Sequence, residues 1–365
     1  MPESTSSSRP EPALWAVILA GGVGSRFWPV STPALPKQLL PLVGDAPLIR
    51  QTVTRIAPLV PAARIRILAG QRMAGLLLDV VPELGPDSVM AEPIARGTGP
   101  VLVWAAVEIA RIEPEAVMIS LHADHAIEPE DTFRDALRLA ASAAVAERRL
   151  ITIGATPTRA ETGYGYIKPG ASLARAGAIA TVRAVDSFTE KPPRDVAETY
   201  VREGYLWNTG IFAWPADLFL DEVRRHAPEI GELIPLLERR ETAAFFERAP
   251  VLSVDHAVLE RSDRVAVVPS TFRWDDVGAW DAIARTRPAD AAGNVAVGEA
   301  HLVDSSGCIV WSDDGAVVTF GAHDLVIVRA NAITFVAPRE RAPELKRLLD
   351  RLPAKLREPG GDSEQ

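Results

Sequence analysis

The sequence predicts an α/β protein: a mixed sheet with helices on both faces, followed by a small β-rich domain. Short apolar runs without alternation, Val17 to Ala20, Val117 to Leu121, Leu150 to Gly154 and Val265 to Pro269, read as strands buried on both faces. Between them lie segments with apolar residues at helical spacing, such as Ile49, Val53, Ile56 and Val60. From about Asn294 the texture changes to short Val, Ile and Ala runs broken by glycine, which reads as all-β.

With 365 residues and 47% hydrophobic composition, the chain can build one large domain and one small one. The expected division is 14–288 for the large domain and 289–352 for the small β-rich one with a terminal helix. The Ser-, Pro- and Glu-rich segment 1–13 and the segment 353–365 are expected to be disordered tails. A net charge of −9 argues against a nonspecific nucleic-acid surface, which needs clustered cations. Cys308 is the only cysteine, so there is no intramolecular disulfide, and a reduced cytoplasm fits. No stretch approaches the roughly 18 consecutive apolar residues of a membrane span.

Taken in order, the first strand breaks at Gly21-Gly22, where the missing Cβ atoms let the backbone turn sharply and approach a ligand closely. Leu19, Ala20, Gly21, Gly22, Gly24 and Ser25 thus form a loop able to present backbone N–H groups to an anion. Arg26 and Lys37 flank a Pro-rich turn, so they can converge on one group, and a polyphosphate is the obvious candidate. The spacing is neither the dinucleotide fingerprint nor the P-loop. A helix follows with Pro47 in its first turn, then a strand from Arg64 to Ala69. Met90 to Pro100 ends strand-like sequence and opens a long apolar helix, Val101 to Ile112. Its N-terminus places Thr98 where a base or phosphate could be met. Asp124 lies just beyond the carboxyl end of the next strand, where open α/β sheets bind ligands.

Further on, Leu150 to Gly154 is a strand, and Gly163 sits in a two-glycine loop that allows close backbone approach. Val182 to Phe188 leads into Glu190-Lys191. On a regular strand these two would point to opposite faces and serve different partners. Residues 215–264 read as mostly helical, with Asp255 either orienting a site or capping a helix. The last strand of the main sheet, Val265 to Pro269, precedes Trp274-Asp275-Asp276-Val277-Gly278.

The glycine loop with Arg26-Phe27-Trp28-Pro29 and Pro36-Lys37-Gln38 closely resembles the signature of the sugar nucleotidyltransferases, and within them the mannose-1-phosphate guanylyltransferase branch. Recognisable motifs continue in order to Gly278. The resemblance implies a Rossmann-like, glycosyltransferase-A-like domain and a short left-handed β-helix behind it. It implies transfer of GMP from GTP to α-D-mannose 1-phosphate, with Arg26 and Lys37 as catalytic cations. Leu19, Ala20, Gly21, Gly22, Gly24, Ser25, Glu92, Arg96, Thr98 and Asp124 would bind the nucleotide; Gly163, Glu190, Lys191 and Asn208 would bind the sugar phosphate. Asp124 and Asp276 would hold Mg²⁺, as hard carboxylate ligands do. Where the family shows Asn and Ala, this chain has Gly97 and Gly99, and His122 stands in place of the usual Pro. Two rivals stay open: a nucleotidyltransferase for another sugar 1-phosphate or nucleotide, and a non-catalytic nucleotide-sugar-binding regulator. The expected partners are GTP and mannose 1-phosphate, with no nucleic acid and no membrane; a homodimer is left open.

Overall fold

A computed structural model describes residues 12–22, 24–173 and 182–357. Most of segment 1–13 and the end of segment 353–365, both expected as tails, lie outside the described residues. Within the second segment, residues 354–357 form a helical turn, and the Leu356 carbonyl accepts from the Trp28 indole at 3.0 Å.

The main sheet uses β1 (Leu14–Leu19), β2 (Ile65–Gly70), β3 (Val89–Glu92), β4 (Val117–His122), β6 (Leu150–Ala155), β7 (Tyr166–Ser172), β8 (Arg183–Thr189), β9 (Leu206–Pro215) and β10 (Val265–Pro269). Their order is β3-β2-β1-β4-β9-β6-β10-β8-β7. β3, β2, β1 and β4 run parallel, and β10 is parallel to β6. β9 is antiparallel to both β4 and β6, so the sheet is mixed as expected. A separate antiparallel pair joins β5 (Ala126–Glu128) to β11 (Arg273–Asp275).

The unbroken apolar runs are explained by a core on each face. On β1, Trp15, Val17 and Leu19 face one core, with residues of α3 (Thr98–Ile112) and α6 (Ala216–His226). Ala16 and Ile18 face the other, with residues of α1 (Leu48–Ile56), α2 (Gln71–Val80) and α4 (Glu130–Glu147). A further helix, α5 (Arg194–Arg202), follows β8.

The C-terminal domain coils. β12 (Val295–Val297), β14 (Ile309–Ser312) and β16 (Leu325–Ala330) stack in parallel, as do β13 (Ala300–Val303) and β15 (Val317–Phe320), while β17 (Ile333–Pro338) closes antiparallel on β16. Its strands are two-faced as well. Cys308, Val310 and Ile327 fill the coil interior with Leu302 and Val317. Ile309, Trp311, Val326 and Val328 face outward into a core shared with Phe27, Trp28, Leu40, Leu42 and Trp280. Trp280 sits edge-on to Phe27 at 5.2 Å and to Trp311 at 5.6 Å, and its indole donates to the Trp28 carbonyl at 3.1 Å. The small domain therefore packs against the segment that connects the glycine loop to Lys37.

Candidate active site

The loop after β1 is shaped by what it must leave room for. Gly24 has φ 73°, and a Cβ there would fall 2.3 Å from Lys37 Cβ, so both the backbone conformation and the space require glycine. The Gln38 side-chain amide gathers the loop from below, donating to the Ala20 carbonyl at 2.7 Å and the Gly22 carbonyl at 3.0 Å. Among the described residues, the N–H groups of Gly21, Gly22 and Gly24 meet no acceptor. A loop with its carbonyls tied back and its N–H groups bare is an anion cradle. Arg26 is exposed on the same loop.

Lys37 is the point at which three chain segments meet. It is only 6% exposed, and its ammonium pairs with Asp124 Oδ2 at 2.8 Å. It also donates to the carbonyls of Val277 at 2.7 Å and Asp276 at 3.1 Å. Asp124 follows β4, and Asp276 follows β11. The second loop is held by Asp275, which accepts from the Val277 N–H at 2.9 Å and from Arg285 Nε at 2.6 Å. Tyr164, from the two-glycine loop before β7, donates its hydroxyl to Asp276 Oδ1.

The two carboxylates differ. Burial works against the charge on Asp124, but the Lys37 ammonium beside it outweighs burial and holds its carboxyl below the usual range. Burial raises Asp276 by more than the Tyr164 hydrogen bond and Lys37 lower it. Among the described residues, Asp124 Oδ1 and Asp276 Oδ2 accept no hydrogen bond, so each carboxylate keeps a hard oxygen available to a cation such as Mg²⁺. The neighbouring His125 imidazole fits such an ion less well. His122, Asp124 and His125 lie within 4.8 Å of one another. His125 Nδ1, however, accepts from the Trp274 indole at 3.0 Å, and an indole can only donate. Burial keeps His125 neutral, so its proton is on Nε2 and neither ring nitrogen has a free lone pair.

The other end of the cleft is a cavity of ≈ 210 Å³ whose lining includes Leu19, Gly163, Glu190, Lys191, Asn208 and Asp255, and which reaches Asp276. Glu190 and Lys191 do not diverge as a regular strand would require. β8 ends at Thr189, Lys191 adopts φ 47°, and the two side chains meet in an ion pair. Asn208 is held from both ends of its amide. Its Oδ1 accepts from Thr152 at 3.1 Å, and its Nδ2 donates to Asp255 Oδ1 at 2.8 Å. Asp255 is thus tied to the cavity wall by an amide and is not a helix cap; burial first, then the nearby Glu190 charge, pushes its carboxyl up to about 6.

Thr98 also lines this cavity, and its hydroxyl accepts from the Val254 N–H at 2.9 Å. The Gly99 N–H is engaged by the Leu252 carbonyl at 3.0 Å, and the Leu252 N–H donates to the Arg96 carbonyl at 3.0 Å. Here lies the reason for the two unexpected glycines. A Cβ on Gly97 or Gly99 would sit 2.8 or 2.9 Å from the Leu252 carbonyl oxygen, so backbone occupies the space that side chains would need. Arg96 is turned away, its guanidinium donating to the carbonyls of Phe246 at 2.7 Å and Glu247 at 3.0 Å. Glu92 is half-buried at the end of β3, paired in register with Gly70, and burial raises its carboxyl.

Sequence reasoning gave no role to Gln38, Tyr164, Asp275 or Arg285. Gln38 directly follows Lys37, and Tyr164 sits between two glycines. Those are the only local signals they carry; their partners lie far along the chain.

The Nucleotidyl transferase family matches residues 15–293, and the MannoseP isomerase/GMP-like beta-helix domain matches residues 298–352. A mannose-1-phosphate guanylyltransferase of Klebsiella pneumoniae is 34% identical, the match covering 92% of this chain and 73% of the relative. The Pseudomonas aeruginosa alginate biosynthesis protein AlgA is 34% identical, over 93% of this chain and 72% of that one. A crystal structure from Thermus thermophilus, described as a mannose-1-phosphate geranyltransferase, superposes with a TM-score of 0.85 at 33% identity, covering 93% of this chain and 99% of the other.

Proposed function

Because this chain belongs to the nucleotidyl transferase family and, within it, to the mannose-1-phosphate guanylyltransferases, we propose that it transfers GMP from GTP to α-D-mannose 1-phosphate, giving GDP-mannose and pyrophosphate. The observation that supports it most is the meeting of Lys37 with Asp124 and the Asp276 loop at one end of a cleft whose other end carries Glu190, Lys191 and Asn208.

The reaction brings two anions together. At about 4 Å a pair of unit charges repels by roughly 1 kcal/mol in water and roughly 4 kcal/mol at an effective dielectric of 20. The bare N–H groups of Gly21, Gly22 and Gly24 hold the triphosphate, and exposed Arg26 reaches its outer oxygens. Lys37 stabilises charge as it grows on the transferring phosphoryl. Lys191, exposed beside Glu190, aligns the sugar phosphate so that its oxygen attacks the α-phosphorus as the bond to the pyrophosphate oxygen breaks. Glu190 accepts from sugar hydroxyls. Asp124 and Asp276 would hold Mg²⁺, which supplies charge neutralisation at phosphate oxygens. The single cysteine, Cys308, is a buried free thiol, which supports a reducing, cytoplasmic setting. Among the described residues no helix is long and apolar enough to cross a membrane.

The test is kcat/KM for GTP, ITP, ATP and UTP with mannose 1-phosphate, and for GTP with other sugar 1-phosphates. A guanine pocket pairs donors and acceptors with the Watson–Crick edge, and buried groups left unmatched by the wrong base enforce the choice. With glycine at 97 and 99, GTP is expected to lead, ITP to follow with a small penalty, and ATP and UTP to trail. If ATP or UTP outperforms GTP, the guanylyl assignment falls while the transferase chemistry survives.

A further inference from the structure

A second cavity, ≈ 690 Å³, lies behind the aromatic wall of the active site, where Ala155 to Arg159, the β5–β11 pair and the Arg285 to Pro288 segment come together. Trp274 lines both cavities, so one indole separates them. Four arginines line this second space, Arg159, Arg273, Arg285 and Arg287, in a protein of net charge −9; the first three are ion-paired, to Glu161, Glu128 and Asp275, while Arg287 is held by backbone carbonyls.

Two of those guanidiniums are held in place yet not saturated. Arg159 donates to Glu161 at 3.1 Å and to the Tyr164 hydroxyl at 3.2 Å, and Arg287 donates to the carbonyls of Leu42 at 2.7 Å and Pro41 at 2.6 Å. In each, Nη1 meets no acceptor among the described residues. Apolar walls complete the space, since Trp207, Phe272 and Trp274 line it; the Arg159 guanidinium lies over the buried Trp207 ring at 5.0 Å, and the indole of Trp274 is half-buried. Fixed guanidiniums with a free N–H suit phosphate, and the Trp274 indole suits a planar ring.

From these observations we infer that this cavity is a second ligand site, for a nucleotide, separate from the catalytic cleft and coupled to it. Two chains of contact run to the catalytic groups. Arg159 touches the Tyr164 hydroxyl, which donates to Asp276. Arg285 grips Asp275, which fixes the Val277 N–H, and the Val277 carbonyl takes Lys37 at 2.7 Å. A phosphate drawing Arg159 toward the cavity weakens its hold on Tyr164, so occupancy changes how Asp276 is held.

The experiment uses the full chain and titration calorimetry, with the catalytic cleft first filled by GDP-mannose. ADP, ribose 5-phosphate and inorganic phosphate are the probes. ADP is expected to bind at one equivalent, at least about tenfold more tightly than the other two. Thr158 is exposed on the cavity rim, and Thr158→Trp fills the space; Arg273, with its side chain 85% exposed, is changed in Arg273→Glu. Each variant is expected to weaken ADP by about tenfold or more while leaving GDP-mannose affinity unchanged. Absence of ADP binding, equal binding of ribose 5-phosphate, or ADP affinity unchanged in both variants overturns the inference. Should GDP-mannose itself fail to bind, the proposed reaction falls, and ADP binding sensitive to Thr158→Trp still decides the second site.

Discussion

The two ends of the catalytic cleft are built on different principles. At the phosphate end, a buried cation organises everything: Lys37 satisfies Asp124 and two carbonyls, and the carboxylate beside it is held ionised. At the sugar end there is no buried cation among the described residues. Asp255 is held by a neutral amide next to Glu190, and the lysine there, Lys191, is largely exposed. The first end is charge-balanced before any ligand arrives. The second keeps two acceptor-rich groups close together, an arrangement suited to a ligand that brings hydroxyl donors. Glycines mark the same contrast. Gly24 is bare so that the Lys37 side chain can pass, whereas Gly97 and Gly99 are bare so that another stretch of backbone can pass.

Breaking the phosphate end is expected to have the largest effect. In Gly24→Ala the new methyl strikes Lys37, and kcat is expected to fall by about 10²-fold or more. Near-normal turnover in the folded variant would show that the position of Lys37 does not matter. Asp276→Asn keeps the shape and the Tyr164 contact, and is expected to lower kcat by a similar factor of about 10², measured by pyrophosphate release at limiting Mg²⁺.

The sugar end is probed through pH. Asp255 titrates at about 6 in the fold against an ordinary 3.8, so its contribution to stability is intact below the lower value and lost as pH rises through the upper one. At 1.36 kcal/mol per unit, the ionised carboxyl costs up to about 3 kcal/mol near neutrality. Asp255→Asn, which can still accept from Asn208, is expected to be the more stable protein in urea at neutral pH, with the gap closing toward about pH 4. A gap independent of pH would contradict the contrast between the ends.

Gly99→Ala places a methyl against the Leu252 carbonyl and is expected to destabilise by about 1–3 kcal/mol while changing kcat far less than Gly24→Ala does. The smallest effect is expected from Lys191→Ala: an increase in KM for mannose 1-phosphate of about tenfold with little change for GTP, because the lysine is exposed and screened. Equal shifts for both substrates would show that it serves no single end.

The strands around Val17, Val117 and Val265 were legible because two buried faces leave continuous apolar runs, and the glycine loop because turning the chain there needs glycine. What sequence reasoning misplaced depended on neighbours distant in the chain. Arg96 reads as a ligand cation within its motif, but the carbonyls of Phe246 and Glu247 claim it. Glu190 and Lys191 read as divergent until the positive φ of Lys191 turns the chain. Asp255 reads equally as a cap until Asn208 is seen against it. The helix at Gln71–Val80 and the strand at Val295–Val297 went unread.

The shared core between the coiled domain and the segment from Phe27 to Val43 has a thermodynamic meaning. Trp28 is anchored through Leu356, Pro29 through Asn331 at 2.8 Å, and Trp280 is wedged between Phe27 and Trp311. The loop that carries Arg26 and Lys37 is therefore part of the same cooperative folding unit as the C-terminal coils. Slow amide exchange in that loop is expected to rise and fall with exchange in β14 and β16, so that loosening the coils opens the phosphate cradle before it disturbs the central sheet.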